Sequence, residues 1–200
     1  MIDKDKFYRN IKSRILIISD SHGKNSNISD VLKKAGPFDM MLHAGDLECD
    51  PKTICSIVED VGEARSSDAV GFPCYFVRGN CDWNGNLPAF QVIEVEGHRI
   101  FLTHGHRYYV NGGTQNLEYA ALEQGCDIAV YGHTHVPAVI RREDITVVNP
   151  GSVSFPRQTP RRKTFMIMEI YKDGTVDFNL VELKKRGDQV CKRAILLREL

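Results

Sequence analysis

Three short apolar runs, RILIIS (14–19), MMLHAG (40–45) and CYFVRG (74–79), follow one another with a helix-patterned segment between each pair. Continuous isoleucine-rich runs suit strands buried on both faces rather than strands with one wet face. The first intervening segment, NISDVLKKAG, sets Ile28, Val31, Leu32 and Ala35 at helical spacing and stops at Gly36-Pro37. The second, TICSIVEDVGEA (53–64), predicts another helix. A β-α-β-α-β order implies a parallel sheet.

Beyond residue 80 the pattern changes. FQVIEVEGHRIFLTH reads as a hairpin about Glu96-Gly97. TQNLEYAALEQG (114–125) predicts a helix closed by Gly125, and IAVYG (128–132) another buried strand. AVIRREDITVVNP and TFMIMEIYKDGTVDFNLVEL predict two more hairpins, the latter turning at Asp173-Gly174. The expected fold is α/β, with two mixed β-sheets packed face to face and helices outside, a four-layer α/β/β/α sandwich. One domain over 14–182 is expected, after an extension over 1–13 and before a basic tail or helix over 183–200.

Composition narrows the function classes. At 200 residues and 42% hydrophobic, the chain can bury a sizeable core. Its 26 basic and 26 acidic residues balance, which argues against an extended nucleic-acid surface. No apolar run is long enough to span a bilayer, and the charged start MIDKDKFYRNIKSR has no secretory h-region. A cytoplasmic setting without membrane contact is expected. Cys49, Cys55, Cys74, Cys81, Cys126 and Cys191 show no CxxC spacing and read as reduced thiols. Oligomeric state is not written in the sequence; a homodimer is compatible with it.

Chemistry concentrates after the strands, where open α/β sheets bind ligands. RILIIS runs into Asp20 and His22, MMLHAG into Asp46, and CYFVRG into Asn80, Cys81 and Asp82. RIFLT is followed by His104 and His106, and IAVYG by His133 and His135. Imidazole and carboxylate donors suit divalent ions of the first transition row. In an extended segment, Asp20 and His22 would share a side, as would His133 and His135. Gly45, Gly79 and Gly132 precede donors and would let the backbone turn and approach the ions. Each donor alone has a plainer reading. Asp20-Ser21-His22 could cap a helix, and a lone strand-end histidine is commonly just solvated. His43, inside a strand, and His98, beside a turn, read as structural. Ser152 lacks a G-x-S-x-G elbow and does not read as a nucleophile.

The ordered set DSH, GD, GNCD, HGH and GHTH resembles the calcineurin-like metallophosphoesterase superfamily, most closely its small bacterial and archaeal phosphodiesterases. The likeness includes NPGS, Asn149 to Ser152, and runs from about residue 14 to 182. It implies that Asp20, His22 and His135 bind one divalent metal, that Asn80, His104 and His133 bind a second, and that Asp46 bridges them. It implies hydrolysis of small phosphate esters, most of all diesters, by a metal-bridging hydroxide. Manganese is the first expectation, and the donor set also admits iron, zinc, nickel or cobalt.

The wider superfamily carries a histidine where this chain has Cys81. A neutral thiol is a weak proton donor, so protonation of the leaving oxygen falls to His106 or to water. Good leaving groups are then expected to react best. Asp82 is expected to orient a ligand or its loop. Asn149 and Ser152 are expected either to contact substrate phosphate or simply to form a turn. Two other functions stay open. One is a phosphomonoesterase. The other is a catalytically weak protein-interaction scaffold, as in the small retromer subunit of eukaryotes, which this sequence also resembles. The complete donor set favours the enzyme.

Overall fold

A computed structural model describes residues 10–63, 72–83 and 86–183. Residues 1–9 and the basic segment from 184 onward, with Cys191, lie outside the described residues. Among the described residues, ten strands form two five-stranded sheets, and three α-helices flank them. The first sheet holds β1 (Ile11–Ile18), β2 (Met40–His43), β3 (Cys74–Phe76), β9 (Lys163–Tyr171) and β10 (Val176–Leu183), in the order β10-β9-β1-β2-β3. The second holds β4 (Phe90–Val95), β5 (His98–Thr103), β6 (Ile128–Val130), β7 (Ala138–Arg141) and β8 (Thr146–Asn149), in the order β4-β5-β6-β8-β7. Helices α1 (Asn25–Ala35), α2 (Pro51–Val61) and α3 (Gln115–Glu123) complete the layers.

Strand alternation explains why the apolar runs are continuous. Ile15, Ile17 and Leu42 point into the space between the sheets, against Ile100, Leu102, Val130, Val148, Met166 and Met168. Leu16, Ile18 and Met41 point the other way, onto Ile28, Val31 and Leu32 of α1 and Ile54 and Val58 of α2. On the far side, Phe101, Ala129 and Val147 meet Leu117 and Ala121 of α3. Three cores thus separate four layers, the expected sandwich.

Within the first sheet β1, β2 and β3 are parallel, with Ile18 opposite His43 and His43 opposite Phe76. Within the second, β5, β6 and β8 are parallel. The two sets of carboxyl ends meet along one rim, where the functional residues stand. β1 begins at Ile11, which pairs with Tyr171, so the first strand takes in part of the expected extension. α2 starts two residues before the expected Thr53, because Asp50 accepts the Lys52 N–H at 2.9 Å and Pro51 opens the first turn. Among the described residues, no helix is long and apolar enough to cross a membrane. Cys49, Cys55, Cys74, Cys81 and Cys126 are free thiols.

Candidate metal centre

The donors stand on turns of unusual backbone. Asp20, His22, Asp46, Glu48, His133 and His135 all have positive φ, between 46° and 66°. The extended geometry expected for Asp-x-His is therefore wrong here: each pair sits on left-handed residues. Such residues cost on the order of 1–3 kcal/mol apiece and persist where their surroundings over-determine them. Here the turns are laced together. Asp20 N–H donates to Gly45 O at 3.0 Å and His22 N–H to Asp46 O at 3.0 Å. Gly132 N–H donates to His104 O at 3.1 Å, and His133 N–H to Asp20 Oδ2 at 3.2 Å.

Two glycines leave room that no other residue could. A Cβ on Gly79 would lie 2.0 Å from Asp46 Oδ1 and 2.3 Å from the Asp46 backbone nitrogen. A Cβ on Gly132 would lie 2.0 Å from Ser19 Oγ and 2.8 Å from Asp20 Oδ2.

The imidazoles are aimed by their outer nitrogens. His135 Nδ1 donates to the Phe155 carbonyl at 2.6 Å, and His104 Nδ1 to the Ala44 carbonyl at 2.7 Å. His22 Nδ1 faces the Glu48 carboxylate at 2.7 Å. These partners only accept, so each neutral ring presents a bare Nε2 lone pair inward. His135 Nε2 lies 3.0 Å from Asp20 Oδ1 and 3.4 Å from His22 Nε2. His22 Nε2 lies 3.8 Å from Asp46 Oδ2. His104 Nε2 lies 3.4 Å from the same Asp46 oxygen and 3.1 Å from Asn80 Oδ1.

Lone pairs facing lone pairs repel unless a cation sits among them. Asp20 Oδ1 makes the point: it is buried and has no hydrogen-bond partner. Asp20, His22, Asp46 and His135 offer donor atoms that all lie within 4.8 Å of one another, close enough to hold one ion. On the other side of Asp46, His104 and Asn80 form a second half-site. The His133 ring lies 5.2 Å from the His104 ring, and its Nε2 accepts from Asn111 at 3.1 Å. The donor set fits divalent ions of the first transition row. Burial opposes charge on His104, but its hydrogen bond to Asp46 and the Asp20 carboxylate outweigh burial and raise its pKa. Burial alone would also raise Asp46; the His104 contact and the Cys81 N–H hold it below the usual carboxylate range.

The remaining expected residues divide by what they touch. Cys81 donates its N–H to Asp46 Oδ1 at 2.8 Å, and burial, then Asp46, push its thiol up to about 12. His106 opens a short 3-10 turn, His106–Tyr108, with its ring 5.3 Å from that of His104. Burial, then His104 and His133, push it down to about 4. Asp82 accepts the Gly79 N–H and the Glu48 N–H, both at 2.8 Å, and so ties two ligand loops together.

Asn149 and Ser152 are placed against the reading of substrate contact. Both are fully buried. Asn149 Nδ2 donates to Gly132 O at 2.8 Å, and its oxygen accepts the Gly151 N–H at 2.8 Å. Ser152 Oγ donates to Asp20 O at 2.9 Å and accepts the Ser154 and Phe155 N–H groups at 3.0 and 2.8 Å. Their polar atoms are spent on the ligand turns. Ser152→Ala is expected to lower stability by about 1–3 kcal/mol and to leave KM for a diester unchanged. Denaturant unfolding beside steady-state kinetics checks both.

Sequence reasoning missed three participants. Glu48 fixes His22, Asn111 holds His133, and Phe155 gives its carbonyl to His135 while its ring lies 5.2 Å from that of His22. His43 behaves as expected of a strand residue. It is fully buried, bonded to Ser21 Oγ at 3.0 Å and to Gly45 N–H at 3.2 Å. Glu48→Ala is expected to weaken manganese binding by about 10–100-fold, the usual cost of losing an imidazole's outer partner, as read by titration calorimetry.

A four-layer sandwich with paired imidazoles and carboxylates along its joint rim is suited to holding divalent ions. The chain belongs to the calcineurin-like phosphoesterase superfamily, whose domain model matches residues 14–173. Among similar proteins, the probable metallophosphoesterase YsnB of Bacillus subtilis is 31% identical over 82% of this chain and 89% of its own length. Phosphodiesterase YfcE of Escherichia coli is 30% identical over 72% of this chain and 81% of its own. The crystal structure of a predicted phosphoesterase from Streptococcus pneumoniae superposes with a TM-score of 0.70 at 30% identity, covering 85% and 89% of the two chains.

Proposed function

We propose that the protein hydrolyses small phosphate diesters using two divalent cations, held by Asp20, His22 and His135 on one side and Asn80, His104 and His133 on the other, with Asp46 between. The observation that carries this reading is the aim of the imidazoles. The Nδ1 atoms of His22, His104 and His135 face carbonyl or carboxylate oxygens, and their Nε2 lone pairs converge on Asp20 and Asp46. A binding scaffold has no physical reason to hold so many acceptors face to face.

When bound, such cations supply Lewis acidity to the phosphoryl oxygens and a water acidic enough to attack near neutral pH. The protein's own groups do the rest. Asp46 Oδ2 is shared by the two halves, while its Oδ1 is pinned by the Cys81 N–H. His104 meets the centre through Nε2, because its Nδ1 is held by the Ala44 carbonyl. Cys81 and His106 flank the centre, and the thiol replaces the stronger acid of the wider superfamily. Esters whose alcohol leaves as a stable anion suit such a site.

Charge favours diesters over monoesters. Among the described residues, no lysine or arginine side chain bonds to any of the seven donors, and Glu48 adds a negative charge beside His22. The cations themselves would neutralise either ester, so what favours a diester is that no side-chain cation bonded to the donors meets the second charge of a monoester. The likeness to YfcE, named a phosphodiesterase, points the same way.

The test uses chelator-stripped protein reloaded separately with manganese, iron, zinc, nickel or cobalt. Faster turnover of bis-p-nitrophenyl phosphate than of p-nitrophenyl phosphate is expected, with manganese most active. Preference for the monoester would make it a phosphatase. Two ions bound without turnover of either ester would return the scaffold reading.

A further inference from the structure

We propose that a cavity beside the centre, of about 440 Å³, receives one ester arm of the substrate, and that this arm carries an organic cation of the alkylammonium class. The inference rests on the phosphodiesterase reading of the centre and names its substrate class. The cavity is lined by Glu48, Cys49, Asp50, Asp82 and Trp83. It shares a wall with the centre. Glu48 bonds His22 at 2.7 Å on one side and lines the cavity on the other. Asp82 joins Glu48 to Gly79, next to Asn80. An ester whose phosphorus sits on the centre can therefore place one arm against these residues.

The chemistry of the wall selects the arm. Trp83 is the sole tryptophan and is 97% exposed, an indole at the mouth of the cavity. Indole is the strongest aromatic partner for a cation. The charged residues of the wall are all carboxylates, and among the described residues none pairs with a lysine or arginine. Asp50 uses Oδ1 to cap α2, Glu48 uses Oε1 on His22, and Asp82 uses both oxygens on backbone N–H groups, so the cation would be met by the second oxygens of Glu48 and Asp50. One face of indole, a ring of acids and the apolar edge of Cys49 suit an alkylammonium group. An anionic arm, such as a further phosphate, is repelled.

Two measurements decide. The first is independent of turnover. The fluorescence of Trp83 in manganese-loaded protein is titrated with choline and with its uncharged isostere 3,3-dimethylbutanol, at constant ionic strength. A saturable change with choline is expected, with about tenfold weaker binding of the isostere. Asp50→Asn, which keeps the helix cap, is expected to weaken choline binding severalfold. The second compares p-nitrophenyl phosphocholine with p-nitrophenyl 3,3-dimethylbutyl phosphate. The cationic ester is expected to have a kcat/KM about tenfold higher, and the ratio is expected to fall toward one in Trp83→Ala and in Asp50→Asn. Equal binding of choline and its isostere, or quenching by nucleosides but not by choline, overturns the proposal. So does a kcat/KM ratio near one while both esters are hydrolysed. If neither ester is hydrolysed with any metal, the phosphodiesterase reading fails, and the fluorescence titration still decides what the cavity binds.

Discussion

Asp46→Asn is expected to lower metal-dependent turnover of bis-p-nitrophenyl phosphate by about 10³-fold or more. A Lewis-acid cation is worth several kcal/mol to a developing charge, and about 1.4 kcal/mol is a factor of ten in rate. Among the described residues, Asp46 is the one carboxylate within 4 Å of imidazoles on both sides of the centre, His22 at 3.8 Å and His104 at 3.4 Å. The asparagine oxygen still accepts the Cys81 N–H, so the GNCD loop keeps its anchor. Its amide nitrogen meets the His22 and His104 lone pairs as a donor and relieves repulsion. The metal-free variant should therefore melt no lower than the metal-free parent, while its manganese stoichiometry falls. A variant that bound two ions and kept its rate would remove Asp46 from the role given to it. A variant that failed to fold would show instead that the carboxylate is needed structurally.

Gly79→Ala is expected to be more disruptive than its size suggests. The added methyl would sit 2.3 Å from the backbone nitrogen of Asp46, which cannot swing aside as a side-chain tip can. Overpacking of this kind costs about 1–3 kcal/mol or more, which for a chain of this length lowers Tm by roughly 5–10 °C. Metal binding should fall with it, because the contact also pushes on Asp46 Oδ1 at 2.0 Å. Gly112→Ala is the control: its methyl would meet only the Tyr109 carbonyl, at an ordinary 3.6 Å. A Gly79→Ala protein with parental Tm and metal content would mean that the β2 and β3 ends are looser than described.

The layers of the fold were legible because RILIIS and MMLHAG bury alternate residues in two different cores, which leaves no polar position in the run. The donors were legible for a related reason. Nothing in the packing calls for Asp20, His104 or His135 at the end of an apolar strand, so their recurrence there carries information about chemistry. Their backbone was not legible. Aspartate and histidine enter the left-handed region less readily than glycine, and a sequence does not show the lacing that holds them there. Glu48 and Asn111 were missed because a single polar residue in a loop gains meaning only from a contact far along the chain. The NPGS segment was only partly readable. Its turn signal says that the chain reverses, but not whether Asn149 and Ser152 face inward. Asp50-Pro51 did carry a readable helix start, with a capping aspartate and a first-turn proline.

The donors come from two separate sheets. Asp20, Asp46 and Asn80 follow β1, β2 and β3, whereas His104, His133 and His135 follow β5 and β6. Ions bound between them would act as a clasp across the sandwich, closing at one rim what the inter-sheet core closes along its length. Ligation and tertiary stability are then linked quantities. Free metal above its dissociation constant adds RT ln(1 + [metal]/Kd) to the folded state, and a chelator subtracts it from the rim where the two sheets meet.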